Sequence, residues 1–223
     1  MKELKILYRD QAVTVCLKPA GIISEEGEGG MIDLLRRQLA ESGNSAEFFA
    51  VHRLDRDVAG VMVYANTRAA AADLSEQIRN RSFVKQYLAA VEAPPEQAEF
   101  HWQDLLFFDR RRSKAFVVKR ERRGVRQASL HGKLLGSTEQ ASLLLLSLET
   151  GRRHQIRAQC AVRQLPLIGD RRYGGRAAEQ IALWSYRLAF IHPVRNEQVS
   201  FCHPPLGDTF DALRQFLPQI TTF

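Results

Sequence analysis

Cysteine is scarce in this chain. Cys16, Cys160 and Cys202 stand apart, odd in number and without the paired spacing of zinc ligands or redox dithiols. A disulfide scaffold is therefore excluded, and a reducing cytosol is the natural setting. Long hydrophobic runs are missing too. The longest purely aliphatic run, Leu143 to Leu146, is far too short for a bilayer, and the opening MKELKILYRDQ alternates charged with apolar residues. Neither a signal peptide nor a membrane anchor is expected, and the location read from this is cytoplasmic. There is no phosphate loop of the GxxxxGK(S/T) kind, no GxGxxG after a strand, no HExxH and no GxSxG. Nucleotide-dependent and zinc-protease chemistry are weak readings on that ground. His52, His154, His192 and His203 show no ligand spacing, so neither a metal nor a cofactor is expected. Lysine is rare as well: of 32 basic residues only seven are lysine and 25 are arginine.

What is present suits a folded protein with a polyanionic partner. The 223 residues are 45% hydrophobic and 26% charged, enough for one large domain with a sizeable core, and the formal charge is +7. Arginine's planar fork favours phosphate chelation and base stacking, so RNA is preferred over a generic acidic partner. The charge is concentrated. Residues 110–126, RRRSKAFVVKRERRGVR, carry nine cations against Glu121, while the rest of the chain is close to neutral. Strand formers in KAFVV and VRQASLHGKLL, with Arg122-Arg123-Gly124 between them, predict a basic hairpin.

The patterning elsewhere mixes strands with a few helices. LKILY and AVTVCLK read as strands ending at Pro19-Ala-Gly21, and MIDLLRRQLAES as a helix stopped by Gly43 and Asn44. EFFAVHRL and GVMVYA flank a polar loop. Thr67 is placed to cap the alanine-rich helix RAAAADLSEQIRN, and FVKQYLAAVE is a strand. Strands are expected near 100–108, 114–119, 126–135 and 141–149, then a helix in RRHQIRAQCAVR, strands in IALWSYRLAFIHP and QVSFC, and a closing helix in FDALRQFL. Many strands out of strict alternation with three or four helices indicate an α+β domain with a mostly antiparallel or mixed sheet. No repeat or low-complexity linker divides it.

Two constellations could carry chemistry. In VHRLDRDVAG, Asp55 is flanked by Arg53 and Arg56 on the loop between two buried strands. Taken alone, an exposed ion pair is the commoner explanation for such an acid. In ETGRRHQIRAQ, the Thr150 hydroxyl is placed to cap a helix whose free N–H groups, with Arg152 and Arg153, would make an anion site. Ile156 and Cys160 would face the core. Arg157, at the edge of that stripe, could reach a partly buried carboxylate.

The chain resembles the RluA-type pseudouridine synthases, RNA-modifying isomerases, over nearly its whole length. ILYRDQAVTVCLKPAGI looks like the family's first motif, HRLDRDVAG its catalytic motif, FVKQYLAAV the strand with its active-site tyrosine, and LETGRRHQIRAQCAVRQLPLIGDRRYGG its third. IALWSYRLAFIHP is similar to the last core strand. The resemblance implies one catalytic domain over residues 1–223, with a mixed, bifurcated sheet flanked by helices and an active-site cleft between two halves. It implies no S4 module, no cofactor and a monomer acting on structured tRNA or rRNA. It makes Asp55 the essential carboxylate at C1′ of the target uridine, Tyr87 the aromatic that packs on the uracil, and Arg157 the cationic partner. Arg53 would refill the gap left by the flipped nucleotide, and Ile156 would line the base pocket. Arg122, Arg123, Arg152 and Arg153 would hold phosphates. Val58-Ala59 and Trp184-Ser185 depart from the Thr-Ser and His-Ala often found in the family, and an RNA-binding or RNA-remodelling protein without the chemistry is the competing reading.

Overall fold

The computed structural model describes residues 3–41 and 47–218. In chain order the elements are β1 (Ile6–Arg9), β2 (Val13–Lys18), α1 (Met31–Glu41), β3 (Phe49–Ala50), β4 (Ala59–Ala65), α2 (Arg68–Arg79), β5 (Val84–Val91), β6 (Glu99–Asp109), β7 (Lys114–Val118), β8 (Val125–Ser137), β9 (Ser142–Leu148), α3 (Gln155–Val162), β10 (Leu183–Ile191) and β11 (Gln198–Cys202). FDALRQFL lies in a run of 3-10 turns over Asp208–Phe216 instead of the expected α-helix. The expected stop at Gly43-Asn44 falls outside the described residues. No helix among the described residues is long and apolar enough to cross a membrane. The α+β class, with mostly antiparallel strands, is as expected.

The chain divides into two compact units, Met1–Lys85 with Ser185–His203, and Gln86–Trp184 with Pro204–Phe223. In the first, β2 and β4 pair antiparallel from Val13 opposite Ala65 to Lys18 opposite Gly60, and both are buried along their whole length. Uninterrupted apolar runs such as GVMVYA give this result, because neither face has side chains that need water. β1 flanks β2, β3 flanks β4, and β11 pairs with β10. Met31, Ile32, Leu35 and Leu39 recur at helical spacing and are all buried on α1. Thr67 caps α2 as predicted, its hydroxyl accepting the Ala70 N–H at 3.1 Å. Gly60 has φ +129°, and a Cβ there would stand 2.4 Å from the Ser185 carbonyl oxygen, so only glycine lets the two backbones approach. Ser185 uses that closeness to donate to the Val61 carbonyl at 2.9 Å, which gives the serine of the Trp184-Ser185 departure a structural role.

In the second unit the strand order is β5-β9-β8-β6-β7, each neighbour antiparallel. The basic hairpin expected between residues 114–119 and 126–135 is corrected here. Both strands and the turn exist, with Val125 N–H donating to Arg122 O and Gly124 at φ +87°, but β6 lies between them. β6 pairs with β7 through Leu105 to Asp109 and with β8 through Glu99 to Phe107. The tight hairpin is β6–β7, closed by Asp109, whose side chain accepts the N–H groups of Arg111 and Arg112. An eleven-residue strand has ladder groups on both edges to satisfy, and both flanking segments use them. The 119–124 segment therefore crosses β6, with Arg122 over the Phe107 ring at 4.7 Å. On the other face, Leu106, Ala115, Ala128, Ala158 and Tyr173 form a core that fixes α3 against the sheet.

Candidate active site

Asp55 is half-buried on the loop between β3 and β4, and that loop is clamped from both sides. The Ser24 hydroxyl donates to the Leu54 carbonyl and accepts the Leu54 N–H, both at 2.9 Å. Ser24 is held in turn: the buried Tyr64 hydroxyl donates to its carbonyl at 2.8 Å. Burial raises the Tyr64 pKa, so the phenol stays a donor. On the far side Lys18 is fully buried, and its ammonium donates to the carbonyls of Pro19, Arg56 and Val58 at 2.8, 3.0 and 2.8 Å. Burial pushes the Lys18 pKa down to about 8 against the opposing pull of Asp57 and Asp55. Arg56 Nε donates to Gly21 O, and Gly21 N–H donates back to Arg56 O, both at 2.8 Å. The Asp55 carbonyl accepts the Val58 N–H at 3.0 Å.

The flanking arginines thus have their own partners. Arg53 pairs with Glu25 at 3.2 Å with both side chains about half exposed, and Arg56 faces a backbone carbonyl. Val58 and Ala59 are buried, and the clamps on the loop involve no hydroxyl from either. His52 accepts the Val63 N–H through Nε2, while burial, then the Lys85 charge, brings its pKa down to about 3. It is therefore a neutral histidine that accepts a backbone hydrogen bond.

Lys18 and Ser24 were not singled out by the sequence reading. The signal for Lys18 was available: a lysine ending the apolar run AVTVCLK just before proline cannot be buried there without acceptors. Ser24 gave no such signal, since its partner lies 30 residues away.

Tyr87, Arg157 and Ile156 lie in the second unit. Tyr87 is buried on β5 opposite Leu146 of β9. Ile156 and Arg157 are buried on α3, so Arg157 is deeper than the stripe-edge position expected for it. Its guanidinium forks onto Asp170, Nε to Oδ2 at 2.6 Å and Nη2 to Oδ1 at 2.8 Å. It also lies 5.1 Å from the Tyr173 ring. Asp170 was missed because no local periodicity relates it to Arg157. The bidentate geometry fixes the guanidinium plane, which a lysine at 157 could not reproduce.

The expected cap on this helix is corrected. α3 begins at Gln155, and its N-cap position is His154 in the left-handed conformation at φ 54°. Thr150 instead accepts the Ser129 N–H at 2.9 Å and donates to Gln155 Oε1 at 2.7 Å. Gln155 Oε1 also accepts the Arg152 N–H at 3.0 Å. A glutamine side chain that answers this donor internally removes it from an anion site.

The arginines assigned to RNA are only partly gathered. Arg122 and Arg152 meet, with Arg126 and Glu121, around an open groove of about 610 Å³ floored by Leu105 and Val125. Arg152 is anchored by Nε to Gln127 O at 2.9 Å. Arg153 stacks on Phe108 at 4.3 Å instead, and neighbouring strand residues point to opposite faces, so it is on the other side of the sheet from the Phe107 stack of Arg122. Arg123 is exposed and does not line the groove. Arg126 was not among the expected residues.

A family model described as RNA pseudouridylate synthase matches residues 12–162. An uncharacterized RNA pseudouridine synthase of Bacillus subtilis is 32% identical over 205 residues, covering 88% of this chain and 67% of the relative. A ribosomal large subunit pseudouridine synthase D of Zymomonas mobilis is 31% identical over 217 residues, covering 89% and 68%. The chain thus spans about two thirds of the length of these relatives. Among solved structures, human RNA pseudouridylate synthase domain containing 4 superposes with a TM-score of 0.78 at 23% identity, covering 94% of this chain and 93% of its own, a likeness of fold. By this match and these identities the chain belongs to the RNA pseudouridylate synthase family and is an isomerase that converts uridine in RNA to pseudouridine.

Proposed function

We propose that the substrate is structured RNA of the ribosomal or transfer class in the cytoplasm, with Asp55 as the carboxylate acting at C1′ of the target uridine. The observation that carries this reading is the clamping of the Asp55 loop by Ser24 on one side and the Lys18 ammonium on the other. So many buried bonds around one half-buried acid make sense if its position matters to chemistry. The ribosomal class is favoured by relatives named ribosomal large subunit pseudouridine synthase D.

The reaction breaks C1′–N1, turns the uracil, joins C1′ to C5 and releases the C5 proton, with no water added. A glycoside hydrolase needs a second carboxylate to direct water or protonate the leaving group; an isomerase that excludes water does not. Tyr87 takes the face of the extruded base, Ile156 lines its pocket, and Arg157 is the cation that keeps a desolvated carboxylate ionised. Arg53 leaves its exposed pair with Glu25, a contact of little energy, to fill the vacated stack. Arg122 and Arg152, which share a groove, bind phosphates and supply affinity more than sequence reading, while Arg123 and Arg153 would meet phosphates only outside that groove. The residues 1–223 work as one catalytic domain, and as a monomer.

The test uses RNA from a strain lacking the protein, labelled with tritium at C5 of uridine. The intact protein is expected to release tritium and leave mapped pseudouridine, while Asp55→Ala binds the RNA and releases none. Equal release by Asp55→Ala would overturn the role of Asp55. Binding without release by the intact protein would favour the RNA-remodelling alternative.

A further inference from the structure

We infer that His101, His131 and Glu149 form a binding site for a divalent transition-metal ion of the zinc class on the second unit. The two histidines are directly opposed across β6 and β8, both exposed, with rings stacked 4.0 Å apart at an interplanar angle of 7°. Both present Nε2 to Glu149, just past the end of β9: His131 lies 2.7 Å from Oε1 and His101 3.7 Å from Oε2. One donor atom from each of the three residues lies within 4.8 Å of the others. Two ligands on a tetrahedral zinc stand about 3.3–3.6 Å apart, given zinc bonds of roughly 2.0–2.2 Å, and exposed side chains close that gap by small rotations.

One contact is of the kind a metal site uses. The Ser129 hydroxyl donates to Glu149 Oε2 at 2.5 Å and orients the carboxylate, while its 2.8 Å contact with His101 Nε2 is one that an incoming ion would replace. The neighbouring cation, Lys133, is paired with Glu99 at 2.8 Å, so no unpaired positive charge of its own opposes an incoming ion. Two imidazole nitrogens and one carboxylate oxygen, with no thiolate, select Zn(II), Ni(II) or Cu(II) over Mg(II) or Ca(II), and three protein ligands leave a position for water. His101 and Leu105 share a face of β6, so the ion would sit about 13 Å along the strand from the arginine groove. It would add positive charge to that face and tie β6 and β8 to the start of the ETGRR loop.

The test is calorimetric titration of chelator-treated, full-length protein with zinc chloride at pH 7.5, beside His101→Gln, His131→Gln and the double variant. These surface changes should leave the metal-free melting temperature unmoved. The expected result is one equivalent of zinc bound by the parent, at least tenfold weaker binding in each single variant, and loss of that equivalent in the double. Co(II) should give visible absorption bands with the parent that the double variant lacks. Absence of saturable uptake, an unchanged equivalent in the double variant, or Mg(II) binding as tight as Zn(II) would each overturn the assignment.

Discussion

Lys18 supports the loop that carries Asp55, and its protonation sets how many backbone carbonyls it can meet. A protonated ammonium has three N–H bonds for the three carbonyls it meets, and a neutral amine has two. With its pKa brought down to about 8, activity should fall as pH rises through that value, and Lys18→Arg, which does not titrate there, should lose that alkaline limb. Stability responds in the opposite sense. Because the folded pKa is below the unfolded value of 10.5, the protein gains stability relative to Lys18→Met between pH 8 and 10.5 and loses it again as pH falls. Melting temperatures across that range check the sign. Lys18→Met should lower turnover by about 100-fold, as a slackened loop misplaces the acid by about an ångström, while RNA binding persists. The acid itself was legible in HRLDRD, but its supports were not. A carbonyl clamp is made by residues 40 apart, and no spacing rule reports such a pair.

At the scale of elements, α3 is held by the Arg157–Asp170 fork, with both side chains at most 3% exposed. Removing one partner strands a buried charge, so Arg157→Leu or Asp170→Leu should each cost about 3–5 kcal/mol in urea unfolding. The double replacement should cost less than either single change, because neither member of this buried pair is left facing an absent partner. The close approach of β4 to β10 makes a second prediction: Gly60→Ala should destabilise by at least about 1–3 kcal/mol, with a lowered melting temperature, since it combines a positive φ with a clash against the Ser185 backbone. Strand and helix identities were readable from periodicity, and the α2 cap from Thr67. The start of α3 was not, because a Gln155 side chain and a left-handed His154 displaced the expected threonine cap.

For the whole molecule, the +7 charge and the groove between Arg122 and Arg152 predict salt-sensitive RNA binding. Arg122→Ala with Arg152→Ala should reduce the slope of log affinity against log salt by about 1.4–1.8, two phosphate contacts' worth. Filter binding across a salt series measures it, and an unchanged slope would remove both residues from the RNA path.

By itself the sequence determined the α+β class, nearly every strand and helix, the concentration of charge between residues 110 and 126, and the HRLDRD motif that carries Asp55, because periodicity and motif chemistry are carried by neighbours in the chain. Tertiary structure alone decided that β6 lies between the two basic strands, that Ser24 and Lys18 grip the Asp55 loop, that Asp170 answers Arg157, and that His101 meets His131. Each of these pairs an edge or a buried polar group with a distant partner. Which partner wins depends on satisfying every such group at once, a condition of the packed chain and not of any one stretch of it.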